Sequence, residues 1–313
     1  MKQVNRRNFI QSLSAFATIA FINPAFSKNA NSTQKSKLIQ KTIPSSQEAM
    51  TVIGMGSWQT FNVGSDPSLL DNRKEILDLF FHLGGQMVDS SPMYGSSQQA
   101  IGYGLKQLNH PDKLFSAEKV WTSDESATRE QIQQTSEAWQ VKSFDLLQVH
   151  NLVRWQEHLE VLKQMRQNGE LAYIGITTSH GRRHKDLERV MATQPIDFVQ
   201  LTYNMLDREV EQRLLPLAQE KGIAVIANRP FQGGRLINRL QRSKAPLPSF
   251  ASDIQCENWP QFLLKFIVSH PAVTCAIPAT TKLEHMQENM GAATGSLPSA
   301  AMRKQMLDYL KTI

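Results

Sequence analysis

The chain has 313 residues, of which 41% are hydrophobic and 20% charged, and this composition predicts a folded body with a substantial core. Two cysteines in so long a chain exclude a disulfide-stapled scaffold and a multi-cysteine zinc fold. Residues 1–27 carry three basic residues and no acid, and residues 28–50 carry four lysines and one glutamate, so they account for the whole net charge of +6. Residues 51–313 are therefore neutral, which argues against a nucleic-acid-binding surface.

The first 27 residues have the pattern of an export signal. Arg6 and Arg7 precede Asn-Phe-Ile and a mostly apolar run, and Ala25-Phe26-Ser27 has the form of a cleavage site. The paired arginines resemble a twin-arginine signal, which implies the Tat export machinery as a partner and a periplasmic location. The alternative is an uncleaved signal that anchors the protein in the inner membrane. Polar residues interrupt the apolar run, and we expect no stable membrane insertion after cleavage.

Residues 28–41 are polar and rich in lysine, and we interpret them as a flexible linker to a single domain at 42–313. From Leu38 to Gly56, two short apolar runs flank Pro44-Ser45-Ser46-Gln47-Glu48, a pattern that predicts a hairpin leading into that domain.

Beyond residue 50, short β-rich runs alternate with segments of helical period. The predicted strands are Thr51–Met55, Gln86–Asp89, Leu114–Val120, Asp145–His150, Ala172–Thr177, Asp197–Tyr203, Ile223–Ala227 and Val273–Pro278. Predicted helices between them include Arg73–Leu83, Gln98–Leu108, Arg129–Trp139, Trp155–Asn168, His184–Met191 and Val210–Lys221. Eight such strands imply parallel pairing and predict an α/β fold of the (β/α)8 TIM barrel class. An open doubly wound sheet is the alternative, but no strand is followed by a GxGxxG turn.

Four ionisable residues fall at or just beyond the carboxyl ends of neighbouring predicted strands. Asp89 and Tyr94 follow the second strand, Lys119 lies near the end of the third, and His150 ends the fourth. Each alone has a structural interpretation, such as a helix cap, a buried ion pair or a packed histidine. A purely stabilising role would not require all four residues to lie at one rim of the barrel. The set therefore predicts an active site at the face where barrel enzymes have theirs.

The chemistry that suits this set is proton transfer to a carbonyl oxygen. A free tyrosine has a pKa of ~10, and a nearby lysine ammonium lowers the pKa of the phenol. We therefore expect Lys119 to acidify Tyr94, Asp89 to keep the lysine charged and oriented, and His150 to polarise the carbonyl group or hold the substrate.

The order of these residues, within Val-Asp-Ser-Ser-Pro-Met-Tyr-Gly, Lys-Val-Trp and Leu-Gln-Val-His-Asn, resembles the aldo/keto reductase family from about residue 40 to 295. The resemblance implies a barrel that binds NADPH in extended form, with Tyr94 as the general acid, Lys119 and Asp89 as the residues that tune it, and His150 as the residue that orients the carbonyl. It also implies that Thr177, Thr178 and Gln200 contact the nicotinamide amide.

The segment after the seventh strand departs from the family pattern. Asn228 stands where a tyrosine usually stacks on the nicotinamide ring, so Arg229 or Phe231 is the candidate substitute, beside Pro230. Gly233 lies in a glycine pair that either approaches the pyrophosphate or simply forms a turn.

The segment after the eighth strand resembles the family's site for the 2′-phosphate and adenine, and it implies Thr280, Lys282, His285, Glu288 and Asn289 as contacts. Because cationic and hydroxyl groups suit a phosphate, NADP(H) is favoured over NAD(H). Trp58 and Trp121, which follow the first and third strands, either line the substrate mouth or pack structurally. No metal site is expected.

Three functions remain open on the sequence. The leading one is hydride transfer from NADPH to an aldehyde or ketone. A second is a Schiff-base lyase that uses Lys119, which requires a lowered lysine pKa. A third is an exported nucleotide-binding sensor or scaffold without turnover.

Overall fold

The computed structural model describes residues 37–313, so the predicted signal and most of the predicted linker lie outside the described residues. The described part begins with the predicted hairpin, in which β1 (Gln40–Thr42) pairs antiparallel with β2 (Ala49–Thr51). Gln40 and Lys41, which the sequence assigned to the linker, lie in β1. Lys41 Nζ donates to the backbone oxygens of His270 and Val273 at 2.7 and 2.6 Å, and these bonds hold the hairpin against the barrel.

Eight parallel strands follow in the described part of the chain, each beside the next in chain order. They are β3 (Met55–Gly56), β4 (Met87–Asp89), β5 (Phe115–Val120), β6 (Leu146–Val149), β7 (Tyr173–Thr177), β8 (Phe198–Thr202), β9 (Ala224–Asn228) and β10 (Val273–Ala276). The ring closes where Gly54 N donates to Ala276 O at 2.9 Å and Ala276 N donates to Val52 O at 3.0 Å. The predicted (β/α)8 barrel is confirmed, and the open sheet is wrong.

Ten α-helices lie among residues 37–313 and cover the barrel. They are α1 (Pro67–His82), α2 (Ser97–Gln107), α3 (Thr128–Trp139), α4 (Trp155–Gln167), α5 (His184–Thr193), α6 (Leu214–Lys221), α7 (Arg235–Ser243), α8 (Trp259–Val268), α9 (Leu283–Gly291) and α10 (Ala300–Leu310). Within this described range, none is long and apolar enough to cross a membrane. Local chemistry sets their ends: the Asp66 side chain accepts from Leu69 N at the start of α1, and Gly222, with φ of 64°, ends α6.

The predicted first strand, Thr51–Met55, is wrong as one element. Thr51 belongs to β2, and the chain enters the barrel only at Ile53, which bridges Ala276. Gly56 then passes so close to β10 that a Cβ atom would lie 2.9 Å from Ile277 O, which explains a glycine there. The other predicted strands differ from the observed ones by one or two residues at their ends.

The barrel interior changes character along the strands. Side chains of one strand alternate between the interior and the helices, so Phe115, Ala117 and Lys119 of β5 share the inner face. Toward the amino ends the interior is an apolar cluster whose buried members include Met87, Phe115, Leu146, Phe198, Ile226 and, from the hairpin, Ile43 and Met50. The hairpin thus closes one end of the barrel, and polar side chains occupy the other.

Candidate active site

A buried ion pair lies at the centre of the polar end. Lys119 Nζ is 2.7 Å from Asp89 Oδ1 and donates a second bond to Ser90 O at 2.5 Å, and both charged side chains are almost fully buried. Burial acts to lower the pKa of Lys119, but the neighbouring Asp89 carboxylate and the other negative groups outweigh it, so the pKa is raised. A Schiff-base lysine needs the opposite shift.

Tyr94 is brought over this pair by a tight turn after β4. Tyr94 N donates to Ser91 O at 2.9 Å, and Gly95 continues the turn with φ of 62°, where a Cβ atom would clash with the Asn62 side chain. The Lys119 ammonium lies 5.3 Å from the centre of the Tyr94 ring. The imidazole of His150 stands edge-on to that ring, with centroids 5.8 Å apart. The structure therefore brings the four predicted residues together.

The sequence predicted a lowered pKa for Tyr94, and this prediction is wrong. Burial raises the pKa of Tyr94 to about 12, and the charge of Lys119 opposes this shift without reversing it. The sequence does not show that the phenol is buried, and this burial decides the sign of the pKa shift. The phenol consequently holds its proton throughout the neutral range, and Lys119 eases the loss of that proton when it is transferred.

His150 follows β6 directly and begins a short 3-10 turn. Burial and the nearby charge of Lys119 lower the pKa of His150 to about 3, so the imidazole is neutral at ordinary pH. Its Nδ1 lies 2.8 Å from Ser91 Oγ. A neutral imidazole carries one N–H and can donate one hydrogen bond toward a substrate oxygen.

A cavity of about 320 Å³ opens at this end of the barrel. Asp89, Tyr94 and His150 line it, together with the predicted residues Trp58, Thr177, Gln200, Arg229, Pro230, Phe231 and Gly233. The other predicted contacts do not line the cavity: Thr178, Trp121, Thr280, Lys282, His285, Glu288 and Asn289. Trp121 lies outside the cavity and its side chain is 41% exposed, so this cavity does not support its predicted place at the substrate mouth.

The predicted phosphate and adenine residues are gathered at α9. Lys282 stands at the start of the helix and His285 in its first turn, and both side chains are exposed. Thr280 is buried, and its Oγ1 accepts from Lys282 N at 3.1 Å. The positive end of the helix therefore lies beside two exposed basic side chains and the acidic Glu284 of the first turn.

Asn228 also lines this cavity, but hydrogen bonds to neighbouring strands hold its amide. Its Nδ2 donates to Thr178 O at 2.9 Å and to Gln200 Oε1 at 3.4 Å, and its Oδ1 accepts from Thr202 Oγ1 at 2.7 Å. Gln200 Nε2 in turn donates to Asp89 Oδ2 at 2.9 Å. This chain of bonds reaches the ion pair from β8 and β9. Alternation along those strands could have identified it, because Gln200, Thr202 and Asn228 occupy inward positions.

Glu118 is a second feature that the sequence reasoning missed. It lies on the outer face of β5 and accepts from Gln98 Nε2 at 2.9 Å, Trp139 Nε1 at 2.8 Å and Lys119 N at 2.8 Å. Complete burial raises the pKa of Glu118 to about 7. These bonds fix the backbone of the residue that carries the ammonium. Across residues 37–313, no group of three or more His, Cys, Asp or Glu side chains is arranged to hold a metal ion.

Comparisons with known proteins identify the family of this chain. The model of the aldo/keto reductase family matches residues 52–305. Aldo-keto reductase str7 of Strobilurus tenacellus is 25% identical over 310 residues, covering 82% of this chain and 89% of its own. Methylglyoxal reductase YeaE of Escherichia coli is 25% identical over 268 residues, covering 83% and 90%.

Solved structures show the same fold at lower identity. An aldo/keto reductase from Klebsiella pneumoniae in complex with NADP and acetate has a TM-score of 0.69 at 22% identity, covering 84% of this chain and 92% of its own. The holo form of AKR11C1 from Bacillus halodurans has a TM-score of 0.71 at 20% identity, covering 88% and 96%.

The matched barrel and the family model together define an oxidoreductase class. The chain belongs to the aldo/keto reductase family, and the prediction of an enzyme of that family is confirmed.

Proposed function

We propose that the protein reduces the carbonyl group of an aldehyde or ketone with NADPH. The observation that carries the proposal is the convergence of Tyr94 and His150 on one cavity, above the buried pair of Lys119 and Asp89. NADPH supplies the hydride when bound. Tyr94 gives its proton to the carbonyl oxygen, and the Lys119 ammonium stabilises the phenolate that remains. His150, neutral and buried, orients the carbonyl by a hydrogen bond.

The residues present fit a nicotinamide dinucleotide. Thr177 and Gln200 line the cavity where the nicotinamide amide would be held. Arg229 lies with its guanidinium 5.7 Å from the Trp58 ring centre, so a planar cation and aromatic groups, with Phe231 and Pro230, are available beside the ring in place of the family's tyrosine. Gly233, with φ of 66°, leaves backbone space for the pyrophosphate.

NADP(H) is favoured over NAD(H) by the residues at the start of α9. Lys282 and His285 are exposed at a helix start, where a phosphate dianion is stabilised, and Thr280, Glu288 and Asn289 would complete the adenosine contacts. The relatives from Klebsiella pneumoniae, whose structures contain NADP or NADPH, support the same preference.

The test is a titration of purified protein with NADPH and NADH, followed by a carbonyl panel monitored by the absorbance of the reduced cofactor. The panel includes methylglyoxal, because a relative is named for its reduction. We expect tighter binding of NADPH and its oxidation by at least one carbonyl compound. Cofactor binding without oxidation across the panel would favour the sensor function. Borohydride trapping of a carbonyl compound on Lys119 would favour the lyase.

Tyr94→Phe tests the acid directly. We expect carbonyl reduction to fall by ~10²–10⁴ because the proton donor is lost, while NADPH affinity stays the same. Steady-state kinetics and fluorescence titration measure the two quantities. Tyr103→Phe is the matched control, since its hydroxyl is bonded to Asp71 at an exposed position. Substantial reduction by Tyr94→Phe would remove Tyr94 from the role of acid.

We also propose export through the Tat route. Arg6 and Arg7 with the following apolar run and Ala25-Phe26-Ser27 support it, and cleavage there would leave every described element in the mature protein. Fractionation of cells that express the full chain should give a shortened periplasmic form. Replacing both arginines by lysine should retain the precursor in the cytoplasm. A full-length wild-type protein in the membrane fraction would indicate an uncleaved anchor instead.

A further inference from the structure

Ser91 and His150 form a buried contact between two loops of the active site. Ser91 is fully buried in the segment after β4, and its Oγ lies 2.8 Å from His150 Nδ1. The same Oγ accepts a hydrogen bond from Met93 N at 3.2 Å. Among residues 37–313, Ser91 Oγ has these two hydrogen-bond partners.

The arrangement decides which imidazole nitrogen carries the proton. A serine hydroxyl has one hydrogen to donate, and the bond from Met93 already uses the oxygen as an acceptor. If Nδ1 carried the proton, Ser91 Oγ would accept twice, and its own buried hydrogen would have no acceptor in the described part of the chain. If Nδ1 accepts, every group in the contact is paired. Buried polar hydrogens are paired in nearly all native structures, so the second arrangement is favoured.

We propose that Ser91 is a positioning residue that fixes His150 as the Nε2–H tautomer. His150 lines the cavity, and its Nε2 bonds no side chain or backbone group within residues 37–313. The N–H is therefore free to donate to a substrate oxygen in the cavity that Tyr94 also lines. With the other tautomer, Nε2 would present a lone pair to the carbonyl oxygen and repel it. The catalytic consequence rests on the proposed reductase function, whereas the tautomer itself does not.

The tautomer is measured by NMR of protein labelled with 15N in its histidines. The chain has eight histidines, and a His150→Gln spectrum assigns the relevant signals by difference. We expect an unprotonated Nδ1 and a protonated Nε2 in the wild-type protein at neutral pH. In Ser91→Ala we expect a mixture of both tautomers. A protonated Nδ1 in the wild-type protein would overturn the proposal whatever the variants do.

Steady-state kinetics measure the effect of this tautomer on catalysis. We expect Ser91→Ala to lower kcat by about ten- to a hundredfold, the range seen for groups that orient metal-bound histidines, with unchanged NADPH affinity. Ser91→Thr, which keeps the hydroxyl, should recover most of the loss. Ser97→Ala is the matched control, because this buried serine is bonded to Ser90 Oγ, 3.0 Å away, and not to the histidine. An unchanged kcat and tautomer in Ser91→Ala would contradict the role, whereas a wild-type protein with the expected tautomer but no carbonyl reduction would contradict the proposed function alone.

Discussion

The two ends of the barrel interior are built by the same strands and have opposite chemistry. At the closed end, Phe115 and Phe198 pack among apolar side chains beneath the hairpin. At the open end, later inward positions on those strands carry polar groups: Lys119 lies four residues beyond Phe115, and Gln200 lies two residues beyond Phe198. One or two periods of the side-chain alternation thus separate a region that stabilises the fold from a region equipped for chemistry.

The two ends also differ in what they require of their residues. Apolar packing depends on volume, and many arrangements of similar volume satisfy it. The open end depends on specific partners for its charged groups and for most of its other polar groups, because an unpaired charge or hydrogen-bonding group is costly in a buried setting. Asp89 illustrates this requirement, since Lys119 bonds one of its oxygens and Gln200 the other. Changes at the open end should therefore affect activity and stability together, and changes at the closed end should affect stability alone.

The largest effect is expected from Lys119→Met. It leaves the buried carboxylate of Asp89 without its counter-charge, and breaking such a pair lowers the free energy of unfolding by ~3–5 kcal/mol. Carbonyl reduction should be lost as well. Urea denaturation measures the first change, and Lys119→Met/Asp89→Asn should recover part of it because no charge is left unpaired. A loss below ~1 kcal/mol, the range of exposed pairs, would show that the site is wetter than the structure indicates.

A smaller effect is expected from Asn228→Ala. The substitution leaves Thr202 Oγ1, Thr178 O and Gln200 Oε1 without a partner they now have, so we expect the free energy of unfolding to fall by ~1–3 kcal/mol. Activity should fall too, because Gln200 holds Asp89. Asn238→Ala, an exposed change on α7, serves as the control and should stay within ~0.5 kcal/mol. An unfolding free energy equal to that of the wild type would mean that water replaces the amide.

Much of the fold was predictable from the sequence, because it follows from local patterns of strand and helix residues. Alternation of strand and helix signals gave the barrel and its strand ends to within a residue or two, apart from the first strand. The barrel class then predicted that Asp89, Tyr94, Lys119 and His150 would meet at one rim, since the carboxyl ends of parallel strands share a face.

The remainder depended on contacts between distant residues and on burial. Ser91 meets a histidine 59 positions away, and Asn228 bonds Thr178 from 50 positions away. Strand alternation indicates that Asn228 faces inward, but no local pattern identifies the distant partners of Ser91 and Asn228. The net pKa shift of Tyr94 was predicted with the wrong sign for the same reason, because the charge of Lys119 was visible in the sequence and the burial of the ring was not. Thr51 was misplaced because a hairpin strand and the entry into the barrel form one continuous apolar run.

The smallest effect, and the sharpest test of the difference between the two ends, is expected from Ile226→Val. Ile226 is fully buried in the apolar cluster, two residues before Asn228 on β9, and loss of one methylene should lower the free energy of unfolding by ~0.5–1.5 kcal/mol. Because no polar contact is removed, kcat and NADPH affinity should match the wild-type values. Thermal denaturation and steady-state kinetics on the same preparation measure both. A fall in kcat without a fall in stability would mean that packing at the closed end sets the geometry of the open end, and that the strands do not isolate the two regions.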